Sequence, residues 1–519
     1  MTLNYILSLP DQPKAPMTTK ERPYKYYDTT TSLCSECLRR VDAKIVFQKG
    51  AVWMLKRCPT HGSEQVMLAD DIDYYKSTRE IFVKTPEQVH KYNTATQYGC
   101  PYDCGICPDH EQHGCSLLLE ITDHCNLSCP TCFAGSCPEK NNHLSLAQIE
   151  KMLDLAVANE HEPAILQISG GEPTVHPDFF EILKMAKNRP IQHLLINTNG
   201  IKIAKEEGFA EKLAEFMPGF EVYLQFDSLH SDALKIMRAA DLTTIHKQAL
   251  EKLNQFKIPT TLVATIRRGV NDSQLGEIID FALTQPCVRG VTFQPVQAAG
   301  RLDNYDEGFN CQRDRITLTE VRRKILQQTD LFEPQDIIPV PCFSDSLAMA
   351  YALRLPNQKD HEAVSIIDVP SQDKLVPLTG LIDPELLINA GRNTIAYEKE
   401  TAIQQGIFNL FSTHHSPQSQ PQAVNELLEL ADEKTVGDLT YDNVFRLLIV
   451  DFMDAHNFDI RSIRKSCVHI LHPDGKRAIP FETYNMLYRD ELETTLLADI
   501  RAERQGQMCR GPISCKIVE

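Results

Sequence analysis

The sequence predicts an α/β fold, a partial (β/α)6 barrel with an N-terminal metal-binding ribbon in front of it and a mostly helical C-terminal region behind. Three observations carry this. From Leu117 onward short apolar runs alternate with stretches of helical periodicity, which is the pattern of a parallel sheet. Ahead of that, cysteines recur in closely spaced pairs around a hairpin-like segment, the mark of a small metal-held unit. Beyond about residue 316 the strand–helix alternation gives way to charged and apolar stretches of helical character.

Composition bounds the possibilities. A chain of 519 residues with 42% apolar and 24% charged residues reads as globular and multidomain. Its net charge of −17 argues against a sequence-independent grip on nucleic acid, which needs a basic surface. No apolar run approaches the ~18 residues of a membrane span, so membrane contact is expected to be peripheral at most. The start, Met1 to Leu7, has no basic region and no long apolar core, so a signal peptide is not expected. Ten of the seventeen cysteines fall between Cys34 and Cys132. In a cytoplasmic protein such spacing means metal binding rather than disulfides.

Taken in order, residues up to about Thr31 read as an irregular arm. Cys34 and Cys37, then Cys58 and His61, flank two strand-like runs, Ala43 to Gln48 and Ala51 to Lys56. Two knuckles on a hairpin can clamp one tetrahedral ion, zinc or iron, with those four residues as ligands. A helical segment near Asp71 to Lys84 leads to a Gly- and Pro-looped run holding Cys100, Cys104 and Cys107, with Cys115 beyond. That density suits a four-iron cluster, with a zinc site as the alternative. Cys115 is the first choice as fourth ligand, with Cys137 and His110 in reserve.

In the barrel, strands are expected at Leu117 to Ile121, Ile165 to Ile168, His193 to Ile196, Glu221 to Phe226, Thr260 to Thr265 and Gly290 to Phe293. Helices are expected near Leu146 to Ala158, Pro177 to Lys187, Glu206 to Phe216, Thr243 to Phe256 and Asp272 to Leu283. Ligands gather at the C-terminal ends of such strands. After the first of them comes Cys125-x3-Cys129-x2-Cys132, followed by Phe133. Three thiolates hold three irons of a four-iron cluster and leave the fourth open.

These residues resemble the motif of radical S-adenosylmethionine (SAM) enzymes. The resemblance implies that the open iron chelates SAM, whose reductive cleavage gives a 5'-deoxyadenosyl radical able to take hydrogen from an unactivated carbon. The second strand ends in Gly170-Gly171-Glu172-Pro173, which matches the family segment that meets the SAM amino group. Asn199, Asp227 and Arg267 close later strands and, by the same analogy, are candidate contacts to SAM. An electron donor such as a flavodoxin or ferredoxin is implied as well.

The order of blocks is similar to the subgroup of archaeal tetraether lipid synthases and their bacterial relatives, some formerly read as pterin methyltransferases. That similarity implies a lipid or other small-molecule substrate and carbon–carbon coupling. It also implies a third cluster near Cys342, yet this chain has Glu482 after Phe481 where the subgroup has a cysteine. Cys342 and Cys467 alone cannot cage four irons, which leaves either Cys509 and Cys515 as further ligands or the loss of that cluster. The division expected is 1–85 arm and ribbon, 86–116 auxiliary iron-sulfur loop, 117–315 barrel and 316–519 helical region. Rival readings are a radical SAM methyltransferase acting on a pterin or other small molecule, a peptide-modifying enzyme, and a non-enzymatic multi-zinc protein. His414 and His415 read as a solvated loop.

Overall fold

The ribbon is wider than its two cysteine knuckles announce. In the computed structural model, which describes residues 22–82, 89–305, 307–355, 374–380, 422, 424–425 and 440–509, it has four antiparallel strands in sequence order. These are β1 (Lys25–Leu33), β2 (Arg40–Gln48), β3 (Ala51–Cys58) and β4 (Gly62–Ala69). The expected irregular arm is thus a strand from Lys25 on. Its Tyr- and Thr-rich run suits a pleated surface, and it pairs with β2 from Leu33↔Arg40 to Lys25↔Phe47. Alternation along β2 and β3 sends Ala43, Ile45, Val52 and Met54 to one small core with Ala69 and Tyr75. Helix α1 (Ile72–Glu80) follows, its first turn capped by Asp71, which accepts from the Tyr74 N–H.

The barrel begins at β5 (Ser116–Glu120), and the short β6 (Thr131–Cys132) lies inside the cysteine loop. There follow α2 (Leu146–Glu160), β7 (Ile165–Ser169), α3 (Phe179–Lys187), β8 (His193–Thr198), α4 (Ile201–Lys205) and α5 (Phe209–Ala214). The unit continues through β9 (Phe220–Gln225), α6 (Ser231–Arg238), α7 (Thr243–Gln255), β10 (Thr260–Ile266), α8 (Leu275–Leu283) and β11 (Val288–Pro295). All six expected strands are present and pair in parallel in the order β5-β7-β8-β9-β10-β11. The helices cover one face and bury the main apolar core, which includes Leu117, Leu119, Ile149, Leu153, Leu183 and Leu253. A capping box, Ser145 with Gln148, starts α2.

After residue 316 the described residues hold helices, among them Leu496–Cys509, together with strands that the sequence did not announce. After β12 (Arg301–Leu302) and α9 (Leu318–Gln328), the described residues add β13 (Ile338–Pro339), β14 (Leu347–Leu355), β15 (Lys374–Pro377), β16 (Val444–Val450), β17 (Val468–Leu471) and β18 (Ala478–Pro480). β16 extends the parallel sheet beyond β11, and β17 extends it on the other side, beyond β5. The sheet therefore runs β13-β14-β16-β11-β10-β9-β8-β7-β5-β17-β18. Leu347-Ala-Met-Ala-Tyr-Ala-Leu has strong helix formers, but both its faces are buried, and that burial outweighs propensity. Among the described residues no helix is long and apolar enough to cross a membrane. His414, His415 and Cys515 lie outside the described residues, as does the side chain of Cys509.

Candidate active site

The cysteine loop leaves the C-terminal end of β5, and two backbone clamps hold it. At its start, the Gly171 N–H donates to the Thr122 carbonyl (2.8 Å) and the Glu172 N–H to the His124 carbonyl (2.9 Å). A Cβ on Gly171 would lie 2.1 Å from the His124 oxygen, and one on Gly170 2.3 Å from the Thr122 oxygen. Glycine is needed there because the strand end and the loop touch backbone to backbone. At its far end, Gly300 (φ +65°) approaches the carbonyls of Cys132 and Phe133, where a Cβ would sit 2.4 and 2.3 Å away. Beside it, Arg301 donates through Nε to the Cys129 carbonyl (2.8 Å) and through Nη2 to the Ser136 carbonyl, and β12 pairs Arg301 with Cys132.

Cys125, Cys129 and Cys132 all line one cavity at the strand ends, together with Gly170, Gly171, Glu172 and Asn199. Burial pushes the Cys125 thiol up to about 12 and raises Cys129 too. Thiols so placed ionise only against a compensating cation, so the donor set suits a thiophilic iron cluster.

Glu172 is buried, and its carboxylate is engaged on both oxygens. Oε1 accepts from Thr174 N (3.2 Å), Thr174 Oγ1 (2.5 Å) and Thr198 Oγ1 (2.7 Å), and Oε2 accepts from Asn199 N (2.8 Å). Burial raises its pKa while these donors pull it down. The carboxylate thus locks one strand end to the next. Asn199 then reaches the cysteine loop, donating from Nδ2 to Asn126 Oδ1 (2.7 Å).

Two of the expected cofactor contacts do not line the cavity. Asp227 is fully buried, accepting from Thr265 N–H (2.8 Å) and from Arg238 Nε. Arg267 stacks on the Tyr305 ring at 4.0 Å and donates to the Asn304 carbonyl (2.7 Å). What Asp227 positions is Arg238, which sequence reasoning missed. Arg238 lines the cavity and points Nη1 at Cys129 Sγ, 3.8 Å away. At the end of α6 it looks like an ordinary cation in a last helical turn, so no local signal marks it.

Deeper in, four strands turn amides into the cavity: Gln167 on β7, Asn197 on β8, Gln225 on β9 and Gln294 on β11. Asn197 Nδ2 donates to Gln167 Oε1 (3.1 Å), leaving its own Oδ1 without a partner. At the floor Glu221 accepts from Arg446 (2.8 Å) and Tyr441 (2.6 Å) and contacts His193 Nε2 (2.9 Å).

The ribbon brings its four expected ligands together. Cys37 and Cys58 sulfurs are 3.9 Å apart, and His61 Nδ1 is 3.4 Å from Cys34 and 3.5 Å from Cys58. Four donor atoms within 4.8 Å of one another fit a single tetrahedral ion. In the upstream loop Cys104 and Cys107 are buried and Cys100 half-buried, and burial pushes Cys104 up to about 12 and raises the other two. Asp103 Oδ2 accepts from the N–H groups of Gln97 (2.6 Å) and Gly99 (2.7 Å), and Tyr488 Oη accepts from Cys104 N–H (2.7 Å). Cys115, assigned from sequence to this loop, turns instead to Cys342 and Cys467. Of the reserves, His110 Nε2 meets the Ser466 carbonyl (3.0 Å), and Cys137 accepts the Cys125 N–H on its carbonyl (3.3 Å).

Comparison with known proteins places these features in context. The Radical SAM superfamily matches residues 119–282, and the HMPTM N-terminal zinc ribbon domain matches residues 26–70. The 7,8-dihydro-6-hydroxymethylpterin dimethyltransferase of Methanocaldococcus jannaschii is 31% identical over 489 residues, covering 89% of this chain and 94% of that protein. The GTP 3',8-cyclase of Alkaliphilus metalliredigens is 27% identical over 280 residues, 50% of this chain and 79% of that one. Among solved structures, Streptococcus suis SuiB bound to S-adenosylmethionine overlaps 42% of this chain and 47% of its own at 18% identity and a TM-score of 0.35, too loose a likeness to carry an argument.

Proposed function

The chain belongs to the radical SAM superfamily and is an iron-sulfur enzyme, and on that premise we propose that it methylates a reduced pterin or a heterocycle of similar shape. The observation that carries this is the ring of amides inside the barrel. Gln167, Asn197, Gln225 and Gln294 line the cavity with amide donors and acceptors, and the buried Asn197 Oδ1 has no partner of its own, which suits the edge of a polar ring better than a polymethylene chain. The relative that covers most of the chain carries a pterin dimethyltransferase name, which supports the same reading. Lipid carbon–carbon coupling finds no comparable support.

In this reading Cys125, Cys129 and Cys132 hold the four-iron cluster, Gly170 and Gly171 seat its loop, and Glu172 fixes Asn199 beside it. With SAM bound, the cluster supplies a 5'-deoxyadenosyl radical. The chain's own residues orient the heterocycle, keep water out and, through Arg238, place a cation beside a cluster thiolate. Cys100, Cys104 and Cys107 hold a second cluster, and the ribbon holds zinc. A small-molecule substrate and a reducing partner of flavodoxin or ferredoxin type are required, and nucleic acid is not.

The test uses SAM bearing a deuterated methyl group, with a reduced 6-hydroxymethylpterin and a chemical reductant. Label in the pterin is the expected outcome. Formation of 5'-deoxyadenosine with no label in the heterocycle would sink the proposal.

A further inference from the structure

The cavity that Cys125, Cys129 and Cys132 line at the strand ends reaches down the inside of the barrel to His193, the first residue of β8. His193 is 0% exposed, its Nε2 is 2.9 Å from Glu221 Oε2, and its Nδ1 meets no partner among the described residues. Burial works against a charge on Glu221, but Arg446 outweighs it and holds the carboxyl well below the usual carboxylate range. An ionised carboxylate only accepts, so Nε2 carries the ring proton that faces it. The carboxylate is already paired with Arg446 (2.8 Å), which favours a neutral imidazole and leaves Nδ1 as a bare acceptor on the cavity floor.

Four residues on, Asn197 repeats the arrangement. Its Nδ2 donates to Gln167 Oε1 (3.1 Å), Gln167 Nε2 donates in turn to Ser116 Oγ (3.0 Å), and Asn197 Oδ1 is left over as a second acceptor without a partner. His193, Leu195 and Asn197 all line the cavity, as alternate residues of one strand do. A rise of about 3.3 Å per residue sets His193 and Asn197 about 13 Å apart. Two hydrogen bonds of about 3 Å then leave about 7 Å between them, the scale of a substituted two-ring heterocycle.

We propose that His193 and Asn197 grip the two ends of the pterin, His193 Nδ1 accepting from the 2-amino group at the barrel floor and Asn197 Oδ1 from the hydroxymethyl O–H nearer the cysteine loop. This placement rests on the pterin reading and adds to it the direction in which the ring lies. Bond chemistry dictates that direction. No carbon of the amino-oxo ring bears hydrogen, so the carbons open to hydrogen abstraction belong to the other ring and its hydroxymethyl arm, and these must face the cysteine loop. The amino edge is thereby turned to the floor, where an unpaired acceptor stands ready for a donor.

The test is anaerobic equilibrium binding to reconstituted holoenzyme with SAM and no reductant, comparing 7,8-dihydro-6-hydroxymethylpterin with its 2-oxo analogue. An oxygen opposite Nδ1 sets acceptor against acceptor, so the wild-type Kd should be roughly tenfold or more higher for the analogue. In His193→Phe, which keeps a ring of similar size, the two Kd values should come within about twofold of each other. A purely structural role for His193 would weaken both ligands alike and preserve the ratio. Asn197→Ala should keep that ratio and erase the preference for the hydroxymethyl over the 6-methyl compound. A wild-type ratio near one, or a His193→Phe protein that keeps the wild-type ratio, overturns the inference and leaves the methylation reading standing. Wild-type holoenzyme that binds neither compound overturns both. Should His193→Phe fail to fold, the wild-type ratio and Asn197→Ala decide, and an undiminished hydroxymethyl preference in Asn197→Ala overturns the inference.

Discussion

Arg238 Nη1 lies 3.8 Å from Cys129 Sγ, and the same guanidinium is held from behind by Asp227. A buried carboxylate thus aims a fixed cation at one thiolate of the cysteine loop. Both charges are taken out of water, which makes their pairing strict: removing one leaves the other uncompensated, at a cost of ~3–5 kcal/mol.

Replacing Arg238 by Gln should make the cluster harder to reduce, because a positive charge next to a thiolate favours the added electron. We expect 5'-deoxyadenosine formation to fall roughly tenfold, equivalent to about 1.4 kcal/mol, and the cluster midpoint to move negative. Arg238→Lys should restore part of both. An anaerobic assay combined with a redox titration followed by electron paramagnetic resonance checks this. An unchanged midpoint in Arg238→Gln would assign the residue to structure alone.

Gly171→Ala and Gly300→Ala should each loosen the cysteine loop from opposite ends. The added methyl must displace a carbonyl of that loop, at His124 in the first case and at Cys132 or Phe133 in the second. Overpacking of this kind costs ~1–3 kcal/mol locally. The expected result is a folded protein by circular dichroism that retains the ribbon ion and has lost iron and sulfide. Normal cluster content in both variants would show that the loop tolerates the shift.

What was legible in the sequence was local. Cys34 and Cys37 before β2, and Cys58 and His61 at the end of β3, flank the β2–β3 hairpin, and Cys125, Cys129 and Cys132 follow closely after an apolar strand, so each group could be read from a short window. The six parallel strands were legible for the same reason. Arg238 was not, because its role depends on Asp227 and Cys129 meeting it across the sheet. Nor was the convergence of Cys115 with Cys342 and Cys467, three segments far apart in sequence, two of which the pairing of β17 with β5 brings side by side. Strand β14 was hidden by its Ala, Leu and Met content, whose helical preference burial overrode. Asp227 and Arg267 follow strand ends as expected, and their side chains meet Arg238 and Tyr305.

Removing the ribbon ion should unfold residues 25–69 while leaving the barrel standing. The ribbon's own apolar core, built on Ala43, Ile45, Val52, Met54 and Ala69 and closed by Tyr75 of α1, is small for a four-stranded sheet, so the ion is expected to hold it folded. Chelator treatment, or Cys37→Ser, should therefore expose β1 to β4 to protease while the fragment beginning near residue 90 resists. Equal digestion of both parts, or of neither, would contradict this.

The contact between ribbon and barrel should weaken in alkali. Buried Lys56 donates to the carbonyls of Leu33, Ala455 and His456, and Glu64 on β4 meets His456 Nδ1 at 2.7 Å. Burial opposes the charged imidazole, but Cys311, Glu64 and Asp454 outweigh it and lift His456 from 6.5 to about 9. A pKa raised on folding means that the native state binds the extra proton, so the stabilisation is complete below about 6.5 and disappears as the pH passes about 9. Allowing for partial solvent screening, it amounts to roughly 2–3 kcal/mol. His456→Gln should accordingly unfold more readily than the wild type at pH 6, with the difference closing near pH 10. Urea titrations at the two pH values measure it, and a gap that stays constant or widens with pH would rule out a charged His456 as the source.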